Sequence, residues 1–293
     1  MVEGATLSFD CTACGKCCNS PPLMTVPELF RHADRFIGAL ALRRIRAPVA
    51  GTRHAVAGRV VTVGKEDVEE FHAIARRQGH ALPGGEYLIL MTQAIDYPSA
   101  GRCPALADDN GCAIHADRPA TCAMVPLDAW VPDGLQQVAL AAKQPGGAQY
   151  LGADCITAGA IRPLVQAREV VDAGYRAALA RRREAEAEDK RDWGDAVCRL
   201  LLPELLGPRG DLAAIPPDGQ RTLSLAPVLA VLAASGAEAR ARCLIYIGAQ
   251  RAGIAAAVGR ALARRQPADK PTTALLRSFD TALATLASRL GQP

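Results

Sequence analysis

Cys11-Thr12-Ala13-Cys14-Gly15-Lys16-Cys17-Cys18 places four thiols within eight residues, and the reading of that octapeptide decides what the N-terminal half is built around. Cys11, Cys14 and Cys17 recur at a spacing with which a short loop wraps one metal centre with several sulfurs. Gly15 supplies the backbone freedom that such wrapping needs. Lys16 sits among the thiols, where its charge and the loop amides favour thiolate over thiol and offset an anionic site. Cys18 follows Cys17 directly, whereas a bacterial ferredoxin run carries its fourth cysteine further along and ahead of a proline. Adjacent side chains usually diverge, so Cys17 and Cys18 are expected to serve different centres, or one to bind and the other to support.

Outward from that loop, the remaining cysteines are unevenly spread. Of the ten in the chain, eight precede residue 156: the four above, then Cys103, Cys112, Cys122 and Cys155, with Cys198 and Cys243 further on. Cys103 and Cys112 bracket an Asp108-Asp109-Asn110-Gly111 turn, which brings sulfurs back toward one place. Eight thiols suffice for two four-coordinate sites, or for one [4Fe–4S] cluster with spare cysteines held structurally. Clustered free cysteine has little packing rationale, so the eight are read as metal ligands. His115 lies between two of them and is a weaker candidate. Cys198 and Cys243 sit in apolar helical surroundings, where cysteine acts as a small hydrophobe.

Composition bounds the rest. The chain has 293 residues, 49% of them hydrophobic but only 4% aromatic, with a formal charge of +4. This is enough to bury an aliphatic core in one large or two ordinary domains. The basic excess is too slight to argue for nucleic acid. The opening MVEGATLSFD lacks a secretory signal pattern, which places the thiols in a reducing, cytoplasmic compartment and makes disulfides the lesser expectation. The apolar run from Thr222 to Gly236 is too short for a bilayer and contains Pro227, and the next, near Ile245, is broken by Arg251. Neither a nucleic-acid nor a membrane partner is expected.

Local patterns divide the chain near residue 158. Thr25 and Glu28 form a capping box ahead of Leu29, Phe30, Ala33, Phe36, Ile37 and Leu40, which read as one helix. A helix is expected over 67–77, and strands over 86–95 and 136–142. Beyond, helices are expected over 161–188, 193–206, 223–234, 238–265 and 272–290, separated by turn signals at 207–210, 215–219 and 266–271. The expected fold is mainly α with minor β. A cysteine-rich, loop-dominated metal-binding domain (1–157) is followed by a helical domain (158–293).

The CxxCGxCC opening after Phe9, the CPxL step at Cys103, the Cys112-x-Ile114 step, the Arg118-Pro119-x-x-Cys122 step and Pro126 together resemble the YkgJ-type cysteine-cluster family. That resemblance implies a zinc- or iron-chelating domain. Where members of the family often carry an aromatic residue after the isoleucine, this chain has His115, and Val125 precedes Pro126 where an aromatic is common. The cysteine pattern is also similar, more distantly, to that of flagellin lysine N-methylases, which use an iron–sulfur cluster and S-adenosylmethionine. The tight CGKCC spacing favours the simpler family. The expected function is therefore an iron–sulfur protein with a redox, sensing or structural role and a protein or redox partner. A methylase-like enzyme and a structural zinc protein (Zn2+) stand as the alternatives.

Overall fold

The computed structural model describes residues 6–159, 161–206, 212, 215 and 219–292. Helix accounts for 49% and strand for 18%, with the strands gathered into several sheets. The expectation of a mainly α chain is thus corrected to a mixture of α and β.

In chain order the elements begin β1 (Leu7–Phe9), α1 (Val26–Arg31), β2 (Ile37–Arg46), β3 (Arg53–Val56), β4 (Arg59–Thr62), α2 (Lys65–Gln78), β5 (His80–Ala81) and β6 (Glu86–Ile95). Next come α3 (Ala120–Met124), α4 (Gln136–Ala142), β7 (Ile156–Ala158), β8 (Pro163–Gln166), β9 (Glu169–Val170) and α5 (Ala173–Asp189). The chain ends with α6 (Asp195–Leu206), β10 (Gln220–Ser224), α7 (Ala226–Ala233), α8 (Ala237–Arg264) and α9 (Lys270–Leu290).

Beside short strands that carried no expectation, three segments expected as helix, wholly or in part, hold strand instead. The Thr25 capping box forms, with the Thr25 backbone N–H donating to Glu28 Oε2 at 2.8 Å, but α1 stops at Arg31 and Ile37 opens a strand. Every residue from Ile37 to Leu42 is buried, and periodicity cannot tell such an unbroken run from a buried helix. The segment after Ile161 is a hairpin before it is a helix. Arg162, Ala167 and Arg168 take positive φ, which no α-helix contains, and α5 begins only where Asp172 Oδ1 accepts the Tyr175 N–H at 3.0 Å. Residues 220–224, partly assigned to a helix, instead pair with β2, Leu223 opposite Leu40.

One error ran the other way. Residues 136–142, expected as a strand, form α4, whose first residue anchors the preceding loop: Gln136 Nε2 donates to Asp128 O at 2.7 Å and Val131 O at 2.8 Å. The expected elements at 67–77, 86–95, 238–265 and 272–290 are present as α2, β6, α8 and α9. The turn expected at 207–210 lies outside the described residues, as do residues 216–218 of the next one.

The chain divides into two compact units, each assembled from separated segments. The first takes residues up to 18, 46–87 and 106–187; the second takes 19–45, 88–105 and 188 onward. In the first unit β1 lies inside a sheet of order β7-β1-β8-β9, with Phe9 opposite Ile156. Leu7, Leu140, Ile156, Leu164, Val165 and Leu179 form its core, each contributing about 1.5–3 kcal/mol by leaving water. Asp67, buried at the start of α2, accepts from Arg168 Nη2 at 2.6 Å and from the Gly64 N–H at 2.7 Å, tying the hairpin to the helix.

In the second unit, β2 is flanked by β10 and β6, and α8 packs with α7 and α9. Buried Gln250 on α8 holds the start of β2: its Oε1 accepts from the Gly38 N–H at 2.7 Å and its Nε2 donates to Phe36 O at 2.9 Å. Cys198 and Cys243 are buried here. Burial pushes the Cys198 thiol up to about 11 and raises Cys243 as well, so both behave as inert apolar side chains. Among the described residues no helix is long and apolar enough to cross a membrane.

Candidate metal centre

Strand β1 delivers the chain into the cysteine loop. Just beyond Phe9, the Asp10 N–H donates to Cys155 O at 3.0 Å, so the β1–β7 pairing that fixes Phe9 against Ile156 also sets Cys155 beside the loop. The Thr12 hydroxyl lies 4.0 Å from Cys155 Sγ and helps to lower the Cys14 thiol. It thereby stands near thiols that are remote from each other in sequence.

The loop then turns tightly. Ala13 and Gly15 both take positive φ, 53° and 71°, and the Cys18 N–H closes back on Gly15 O at 2.9 Å. The position of Gly15 is set by its neighbours: a Cβ there would meet Asn110 Cβ and Leu106 Cδ1 at 3.1 Å and Asn110 O at 3.2 Å. Those atoms belong to the turn that carries Cys112. That turn is closed by the Asn110 N–H to Ala107 O at 3.1 Å, the Gly111 N–H to Asp109 Oδ1 at 2.8 Å, and a Leu106–Cys112 bridge. On the far side Gly152 backs onto Lys16, whose carbonyl oxygen would lie 3.3 Å from a Cβ. Three separate loops, holding Cys14, Cys112 and Cys155, therefore meet around Gly15 and Lys16.

Replacing Gly15 by Ala tests this close approach without touching a thiol. A non-glycine residue in the left-handed region costs about 1–2 kcal/mol, and the Asn110 turn must also yield. The expected result is lower thermal stability together with lower metal retention during dialysis against a chelator; parental retention would show that the three loops need not meet.

Electrostatics differ from thiol to thiol. The backbone N–H of Lys16, then the Thr12 hydroxyl, stabilise the thiolate of Cys14 and hold it below the ordinary thiol range. Cys17 moves strongly upward, first because its side chain hydrogen-bonds that of Cys18 and next because it is partly buried. Tyr150 donates to Asp154 Oδ1 at 2.7 Å; that bond, with the negative charges of Cys155 and Cys14 nearby, raises the phenol. Sequence reasoning missed Thr12 and Tyr150. Thr12 was findable as a hydroxyl between two ligand candidates, while Tyr150 carries no local signal.

The other candidates are placed less centrally. Cys11 is exposed at the loop entrance and Cys122 is half-buried on α3. Cys103 lies in the 88–105 segment of the second unit, just before the chain passes into the first. His115 Nε2 accepts from Arg118 Nη1 at 3.0 Å, which occupies the lone pair a metal would use.

Soft sulfur donors of this number suit iron–sulfur clusters or zinc, and none of the ten cysteines is in a disulfide. The donor chemistry fits a metal. Among the described residues, however, no three His, Cys, Asp or Glu side chains stand in a ligating arrangement, so holding one requires side-chain rotation within the loops.

Comparison with known proteins agrees with the chemistry. Residues 10–143 match the family model CxxCxxCC, described as "Putative zinc- or iron-chelating domain". The span runs from Asp10 to Lys143 and so takes in every cysteine candidate except Cys155. No curated protein and no solved structure shows significant similarity to the chain.

Proposed function

We propose, from the premise of a zinc- or iron-chelating domain over residues 10–143, that the chain holds an iron–sulfur cluster of the [4Fe–4S] type. The observation that carries this reading is the meeting of the Cys14, Cys112 and Cys155 loops around Gly15, with Cys11, Cys17 and Cys18 on the same loop as Cys14. The four ligands of such a cluster are drawn from those six thiols and Cys122, all of them in the first unit. A bound cluster supplies one-electron redox chemistry or structural cross-linking. The chain's own residues set its surroundings. The Lys16 amide and then the Thr12 hydroxyl lower the Cys14 thiol, the Cys18 side chain and partial burial raise that of Cys17, and the positive charge of Lys16 offsets negative charge at the site.

A redox, sensing or structural role in a reducing cytoplasm follows from this reading, with electron exchange or signalling passing to a protein partner. Anaerobic purification followed by metal analysis, sulfide assay and a visible spectrum tests it. The expected protein is brown, contains iron and acid-labile sulfide, and absorbs broadly in the visible through sulfide-to-iron charge transfer. A colourless preparation holding stoichiometric zinc and no sulfide would refute the cluster and leave chelation intact.

A further inference from the structure

Beside the cysteine loop, within the first unit, lies a cleft of about 710 Å³ to which Cys11 contributes a wall. This volume falls in the usual range for small-molecule sites, about 300–1,000 Å³. Its floor is apolar, made by Phe9, Leu164 and Val171, and its rim carries Asp10, Arg162, Gln166 and Asp172. The wall is braced. Phe9 and Tyr175 meet edge to face with centroids 5.8 Å apart, and Asp172 is held by its bond to the Tyr175 N–H.

Two features select an occupant. The rim presents both signs of charge: Arg162 pairs with Asp10 at 3.0 Å, both side chains more than 70% exposed, so the pair is only weakly held in water and opens readily to a competing ion. A guanidinium beside two carboxylates suits a zwitterion, its carboxylate toward Arg162 and its ammonium toward Asp10 or Asp172, and disfavours a polyanion such as a nucleotide. The second feature is sulfur. Cys11 is exposed, whereas the other seven cysteines of the N-terminal group are half-buried, so the thiol opening onto the cleft is also the outermost one of the metal loop.

We propose that this cleft binds a low-molecular-weight thiol of the amino-acid or small-peptide class, with its sulfur against Cys11. Cys11 then acts as the exchange ligand. Its sulfur forms a bond to a metal ion carried by the small thiolate as the carrier's metal–sulfur bond breaks, the Cys11 proton leaves on the departing thiol, and no electron is transferred. The exchange role rests on the chelating reading; binding in the cleft does not.

Calorimetric titration of the anaerobically purified full chain with reduced glutathione is the test, run beside Arg162→Glu and beside an analogue whose thiol is replaced by methyl, with metal content measured on each sample. Saturable glutathione binding is expected, at least tenfold weaker in Arg162→Glu at unchanged metal content, and weaker for the methyl analogue. Absence of binding, equal binding by Arg162→Glu, or equal binding of the analogue would overturn the proposal. Glutathione binding by a chain that proves to hold no metal would support the cleft while removing the chelating reading.

Discussion

Cys112→Ser is expected to lose most of its metal and to destabilise the first unit by several kcal/mol. Metal binding in a small thiolate site contributes on the order of 10 kcal/mol to folding, and Cys112 sits on the turn that packs directly against Gly15 of the cysteine loop. Cys198→Ser, at a buried position in the second unit, should keep the parental metal content even if it lowers the melting temperature. Metal per chain and thermal unfolding of both variants are the measurements. Were Cys198→Ser to empty the chain while Cys112→Ser stayed loaded, the assignment of ligands would be reversed.

The second large effect is expected on α5, away from any thiol. Arg182 and Glu186 stand one helical turn apart, with Nη2 and Oε1 at 2.7 Å and side chains 1% and 6% exposed. Among the described residues, Arg182 Nε and Nη1 and Glu186 Oε2 find no hydrogen-bond partner. Removing one charge from such a pair strands the other in a poorly solvating interior, so Arg182→Met should cost about 3–5 kcal/mol. The double variant Arg182→Met, Glu186→Leu should recover most of that loss, because a well-packed apolar pair often matches or exceeds a buried ion pair. A double variant as unstable as the single one would show that the pair itself stabilises the unit.

The same carboxyl gives a pH signature. Burial raises Glu186, with Arg182 opposing, so the folded chain holds a proton that the unfolded chain has already released. Over the window from the ordinary glutamate range up to the raised value, the folded state binds more protons, and stability falls as pH rises. This contribution is fully present below the ordinary glutamate range. Glu186→Leu should flatten that slope in chemical denaturation curves taken across the window.

Signals that depend on a few neighbouring residues were legible in the sequence. The Thr25–Glu28 capping box, the helix at Lys65–Gln78, the strand at Glu86–Ile95 and the turn before Cys112 all form, because caps, alternation and turn chemistry are satisfied within one or two turns of chain. The thiol-rich loop was equally plain, since its meaning lies in residue type and spacing and is supported by the match over residues 10–143.

Tertiary structure decided what depends on distant partners. Ile37–Leu42 became a strand rather than a helix because β10, far along the chain, pairs along its edge, and the burial of all six residues shows both of its faces covered. The hairpin of β8 and β9 exists because β1 pairs with it across more than 150 residues. The pairing of β1 with β7 brings Cys155 to Thr12, and that with β8 places Cys11 at the edge of a cleft lined by Tyr175. Spacing along the chain marks which residues can hold a metal; which sulfurs face one another is set by strand register and by the close approach at Gly15, because those distances are fixed by packing between segments remote in sequence.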